Sequence, residues 1–145
     1  MQATSQGDEP AMAIALTKDS IDLGIVTRNP EPMLAFYRDT LGFNYEGQLP
    51  MPGGGSMERL HCGTSLIKLV TPGNLSDQDA IPGGIPGATG YRYWTISVAD
   101  VATVTAACEG AGRKVAVPPM EIRPGVTISI VEDPDGNWVE FIQNG

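Results

Sequence analysis

Two stretches of the chain, DLGIVTRNPEPMLAFYRDTLGF from Asp22 and YWTISVADVATVTAACEGAGRKV from Tyr93, follow one plan of strand, helix and glycine stop. Each leads to a further pair of strands, which carries Lys68 in the first copy and Glu140 in the second. Tyr93 follows Asp22 by 71 residues and Glu140 follows Lys68 by 72, so one strand–helix–strands unit is used twice. Four corresponding positions, Asp22, Lys68, Tyr93 and Glu140, then converge on the pseudo-twofold axis between the copies. Chemistry is expected there.

A length of 145 residues suits one domain, and a hydrophobic share of 41% is ordinary for a soluble globule. A net charge of −8, with only nine Lys and Arg and no basic run, repels a phosphate backbone and argues against nucleic acid as a partner. The run AMAIAL, Ala11 to Leu16, is too short to span a bilayer and follows Asp8 and Glu9 instead of a basic leader. A cytoplasmic protein without a membrane partner is expected. Cys62 and Cys108 are two widely spaced residues, the second in a predicted helix, and read as buried reduced thiols.

Residues 1–19 read as a loose arm, in which AMAIAL adds at most an edge strand, and residues 20–145 as a single domain. Its two modules cover about 20–71 and 91–143, joined by a Gly/Pro-rich linker or lid, 72–90. In the first module IDLGIVT is a strand, Asn29-Pro30 starts a helix with Met33, Leu34, Tyr37 and Leu41 on one stripe, and Gly42 stops it. MERLHC and SLIKLV flank Gly63-Thr64, a pair suited to a tight hairpin. If the loop has two residues, Arg59 faces Lys68 and His61 faces Leu66, which turns Arg59 and His61 inward beside Lys68; a bulge would turn both outward. In the second module Asp100 caps a helix with Val101, Val104, Cys108 and Ala111 on its core stripe. KVAVP, VTISIVE and NWVEFI are the remaining strands, the last two joined by a turn at Asp133-Pro134-Asp135-Gly136. Strand alternation puts Asp22, Gly24 and Val26 on one face, Tyr91, Tyr93 and Thr95 on another, and Trp138, Glu140 and Ile142 on a third.

The doubled βαβββ unit, with FYRDTLGF in the first copy, V-x-D before the second helix and DPDGNWVEFI near the end, resembles the vicinal oxygen chelate superfamily. That family includes glyoxalase I, bleomycin-resistance, fosfomycin-resistance, methylmalonyl-CoA epimerase and extradiol dioxygenase proteins. The resemblance runs from about Ile21 to Gln143. It implies an α+β fold in which paired βαβββ modules form a curled eight-stranded mixed sheet around a central cup, with helices outside and a small-molecule site within. A homodimer is a further expectation from the family.

In metal-dependent members the cup holds a divalent ion with His, Glu or Gln, and Glu side chains, one from each of four strands. The matching positions here are Asp22, Lys68, Tyr93 and Glu140, and only Glu140 keeps the expected type. An ammonium has donors and a positive charge but no lone pair to offer, so Lys68 opposes a metal. No cofactor is therefore expected, although Asp22 and Glu140 with waters leave a weakly bound Mg²⁺ or Mn²⁺ open.

Three functions follow. The first is metal-independent acid/base chemistry of isomerase, lyase or cyclase type on an oxygenated metabolite, with Glu140 and Asp22 as bases, Tyr93 as acid and Lys68 stabilising developing negative charge. The second is non-catalytic binding of a drug or metabolite between aromatic walls made by Tyr91, Tyr93 and Trp138, with Arg59 and His61 lining the same site. The third is a metallo-enzyme with Asp22, Glu140 and a ligand such as His61.

Overall fold

The computed structural model describes residues 14–145. Ala11 to Ala13 of the expected edge strand lie outside the described residues, and Ile14 to Ser20 form bends and coil. Among the described residues no helix is long and apolar enough to cross a membrane.

The first module runs β1 (Asp22–Val26), α1 (Pro30–Leu34), β2 (Asn44–Pro50), β3 (Gly55–Cys62) and β4 (Ser65–Pro72). A short α2 (Gly84–Gly87) interrupts the linker. The second module repeats the order with β5 (Tyr93–Ser97), α3 (Val101–Gly110), β6 (Val115–Arg123), β7 (Val126–Glu132) and β8 (Trp138–Asn144). The eight strands divide into two four-stranded sheets, ordered β1-β4-β3-β2 and β5-β8-β7-β6. In each, the first strand pairs in parallel with the last and the others are antiparallel, so both sheets are mixed. The chain is thus an α+β pair of βαβββ modules.

Local signals explain the helix ends. Pro30 opens α1, where its missing N–H costs nothing, and Gly42 and Gly112 take φ of 77° and 85° just past the two helical segments. The Asp100 carboxylate accepts from the Thr103 amide at 3.2 Å and caps α3. Past Leu34 the first helix widens into a π-helical stretch, Ala35–Thr40, with the Leu41 amide bonded to the Phe36 carbonyl five residues back. Consecutive Phe36 and Tyr37 are both buried there.

The helix stripes come out as read, with two additions and one correction. Phe36 joins Met33 and Tyr37 in the core, and Thr105 is buried on α3 where Ala111 was expected and is exposed. Thr105 satisfies its hydroxyl on the Val101 carbonyl at 2.6 Å and on Ser129 of β7 at 2.7 Å, which is why a polar residue can take a core position. Cys62 and Cys108 are both free thiols, and burial pushes the Cys108 thiol up to about 11, so it stays protonated.

One hydrophobic cluster joins the modules: Met33, Phe36, Tyr37, Leu60 and Leu69 from the first meet Val101, Cys108, Val131, Val139 and Phe141 from the second. Within it the Tyr37 hydroxyl donates to Asp133 at 2.7 Å. Asp133 is 2% exposed and also accepts from the backbone of Asp135 and Asn137 at 2.9 Å and from the Asn137 side chain. Burial pushes its carboxyl up, and the donors from Asn137 and Tyr37 pull the other way. The FYRDTLGF and DPDGN motifs therefore meet in a buried polar joint that holds the two halves together.

Candidate functional site

Because Ile25, Leu60, Leu69, Trp94, Ile96, Val139 and Phe141 face the shared core, the residues alternating with them face the other way. That opposite face carries Asp22, Lys68, Arg59 and His61 in the first sheet, and Tyr93, Thr95, Trp138 and Glu140 in the second. The hairpin register decides the facing of Arg59 and His61: Cys62 pairs with Ser65, His61 with Leu66 and Arg59 with Lys68 without interruption. The bulge that would have reversed them sits one strand away, between Tyr45 and Gly47 of β2.

On this face the charged groups form two clusters. Lys68 Nζ lies 3.3 Å from one Asp22 oxygen and Lys18 Nζ lies 2.7 Å from the other. These two ammoniums, Lys18 first and Lys68 second, hold the Asp22 carboxyl below the usual carboxylate range. Beside them Arg59 Nε donates to Glu46 at 2.6 Å and His61 Nε2 meets the other Glu46 oxygen at 2.7 Å, which lowers the Glu46 carboxyl in turn. Arg59 and Lys68 are cross-strand partners, so the two clusters are neighbours.

The second sheet is different in character. Thr95 Oγ1 donates to Glu140 at 2.6 Å, which is the partner that a carboxylate in the apolar strand WVEFI needs. Tyr93 is half exposed, and its hydroxyl has no hydrogen bond among the described residues. Trp138 Nε1 points to Glu132 at 3.3 Å. Tyr91 does not join the aromatic wall: β5 begins only at Tyr93, and Tyr91 stands fully exposed before it. Arg92, between the two, turns instead into the linker, with Nε on the Gly84 carbonyl at 2.7 Å and Nη2 on the Ile81 carbonyl at 2.7 Å.

Those bonds make the linker a wall of the site. Gly84, at φ +58°, lies so close to Trp138 that an added Cβ would stand 2.0 Å from the indole ring. At its other end Arg28 holds the linker through Asp79 at 2.8 Å and the Ser76 carbonyl at 3.2 Å. Between these anchors, the end of β1 and the DPDGN turn lies a recess of about 760 Å³, lined among others by Val26, Arg28, Asn29, Gln78, Asp79 and Asn137. The four repeat-related positions do not line it.

Sequence reasoning missed Lys18, Glu46, Arg92 and Gly84. Lys18 falls in the segment read as a loose arm, and Glu46 is turned inward only by the β2 bulge. A Gly at position 47 with φ 141° was the sole local sign of that bulge. Arg92 and Gly84 act through contacts between loop and sheet, which periodicity does not report.

The residues at the four positions do not fit a divalent cation. Among the described residues no group of three or more His, Cys, Asp and Glu is arranged to hold one. Asp22 is already neutralised by two ammoniums, and Lys68 adds positive charge where a ligand would donate a lone pair.

The model of the Glyoxalase/Bleomycin resistance protein/Dioxygenase superfamily matches residues 19–141. Among solved structures the chain is similar to glyoxalase I from Zea mays, at 19% identity and a TM-score of 0.72 over 86% of this chain and 44% of that one. It is also similar to TnmS3, an antibiotic binding protein from Streptomyces sp. CB03234, at 20% identity and a TM-score of 0.67 over 93% and 100%. A glyoxalase family protein from Enterococcus faecalis matches at 20% identity and a TM-score of 0.61 over 88% and 96%. No curated protein matches the sequence. The match from Asp19 to Phe141, on a fold of two βαβββ modules, settles the family: the chain belongs to the glyoxalase/bleomycin resistance protein/dioxygenase superfamily, the vicinal oxygen chelate proteins.

Proposed function

We propose that the chain is a metal-independent small-molecule enzyme in which Lys68 holds an oxyanion of an oxygenated ligand and Glu140 moves a proton. The observation that carries this reading is the Lys68–Asp22 pair at 3.3 Å, at two of the four positions where metal-dependent relatives place ligands. An ammonium on this sheet face can stabilise a carboxylate or enolate, the electrostatic task a Lewis acid would otherwise perform. Asp22, acidified by its two lysines, is a poor base near neutrality, and its part is to orient Lys68. Glu140 keeps one oxygen without a partner among the described residues and shares its face with Tyr93, the candidate acid. Arg59 and His61, with Glu46 between them, would contact the same ligand, and Trp138 would close its end.

A second reading, binding without turnover, is favoured by one observation: among the described residues every charged group of the first sheet's inner face, His61 and Glu46 included, is engaged in an ion pair. Thermal-shift screening against oxo-acids, epoxides, aromatic polyketide-like compounds and cationic antibiotics identifies ligands, and mass spectrometry of the incubated ligand separates the readings. Turnover is expected, with Lys68→Met losing both binding and turnover and Glu140→Gln losing turnover while binding persists. Undiminished turnover in both variants overturns the proposed roles, and an unaltered ligand bound tightly by the wild type supports the second reading.

A further inference from the structure

The recess under the linker differs from the inner sheet faces in its chemistry, and none of the residues assigned above lines it. We infer that it is the second half of the binding site and receives an uncharged, hydroxyl- or amide-bearing tail of a ligand whose carboxylate is held at Lys68. The inference rests on that reading of Lys68.

Three observations carry it. First, the recess continues from the Lys68 site: Gly24 is the register partner of Lys68, and Val26, next on the same face of β1, is 62% exposed and lines the recess. Two residues of strand put its mouth about 7 Å beyond the level of Lys68, so only an elongated ligand touches both. Second, the volume of about 760 Å³ falls in the range of small-molecule pockets, and its walls come from three separate segments held in place by named bonds. Arg28 ties the linker to β1 through Asp79, and Asn29 Nδ2 ties β1 to the last turn through Asp135 at 3.0 Å. Third, the walls discriminate by chemistry. Arg28 is committed to Asp79, so an anionic tail would meet the carboxylates of Asp79 and Asp135 without a cation to receive it. Val26, Leu75, Pro82 and Pro134 supply apolar wall, but a tail of hydrocarbon alone would strip water from Gln78 and from the side-chain carbonyls of Asn29 and Asn137, whose Nδ2 groups bond Asp135 and Asp133, and return no hydrogen bond. Hydroxyl or amide groups match those side chains.

Isothermal titration with four carboxylates tests this: pyruvate, which is too short to span, hexanoate, which has an apolar tail, and gluconate and pantothenate, which have polar tails. Gluconate or pantothenate is expected to bind at least ten-fold more tightly than hexanoate and pyruvate. Ala80→Trp, at an exposed linker position that lines the recess, should erase that advantage and leave pyruvate binding unchanged. Equal affinity for polar and apolar tails, or an advantage that survives Ala80→Trp, overturns the role of the recess. Binding of none of the four, or binding that survives Lys68→Met, overturns instead the Lys68 reading beneath it.

Discussion

Asp133 and Tyr37 lie in the segments by which the family is recognised, yet both point into the core and away from the inner sheet faces. Asp133 is a carboxylate at 2% exposure with donors from Tyr37, Asp135 and Asn137, and such a group persists in the interior only while its lone pairs are met. Tyr37→Phe removes one donor and leaves the ring in place, so it should cost about 1–3 kcal/mol of stability, the range for unpairing a buried polar group. Chemical denaturation would read the loss, and a change below the measurement error would mean that the joint is not shared between the halves. Activity per folded molecule should hold. At this scale the sequence was legible in type but not in role: the pattern marked FYRDTLGF and DPDGNWVEF as diagnostic, and only the buried hydrogen bond explains why those residues are needed. The reverse holds for Asp22 and Lys68. Their spacing marked them as a pair of the repeat, and the structure supplies Lys18 as a second cation on Asp22, which is why the proposed function gives Asp22 the part of an anchor and not of a base.

Among the elements, the strands were the most legible and the linker the least. The Gly63-Thr64 hairpin suggested a register for β3 and β4 but left the facing of Arg59 and His61 open to a bulge, and the uninterrupted pairing of the two strands closes that choice. Asn29 looked like an ordinary cap for α1, but its side chain caps nothing and spans to Asp135 of the other module. Local preference was overridden there by a contact 106 residues away in sequence. The linker's course is of the same kind, since nothing in PGGIPG announces that Gly84 will seat on Trp138. The contact makes a sharp prediction. In Gly84→Ala the new methyl meets the indole at a distance no pair of carbons tolerates, in a backbone region that side chains disfavour, so α2 must lift off β8. The expected result is a red-shifted Trp138 emission, isolated by Trp94→Phe in the same background, together with ligand affinity weakened ten-fold or more. Unshifted emission would mean that the linker does not rest on the ring.

For the molecule as a whole, the duplication explains both what is kept and what has been exchanged. The shared core of ten buried residues, drawn equally from both modules, keeps the two sheets in a fixed relation whatever stands on their inner faces. The four repeat-related positions can therefore change chemistry without changing the fold, and here they combine Asp, Lys, Tyr and Glu. A chain with net charge −8 attracts divalent cations diffusely, so weak association with Mg²⁺ or Ca²⁺ would not by itself indicate a site. Stoichiometry decides. Protein dialysed against chelator and then against Zn²⁺, Ni²⁺ or Mn²⁺ is expected to retain well under one metal per chain by elemental analysis, with no change in melting temperature. The variant Asp22→His, Lys68→Glu, Tyr93→His replaces one carboxylate, one ammonium and one phenol with two imidazoles and a carboxylate and leaves Glu140 in place. It should acquire one tightly held ion and a higher melting temperature when loaded, because binding to the folded state alone is stabilising. Stoichiometric metal in the wild type would remove the case for Lys68 as the electrostatic centre. Failure of the triple variant to bind would place the sheets too far apart for their inner faces to act on one ligand, and would leave each face as a site of its own.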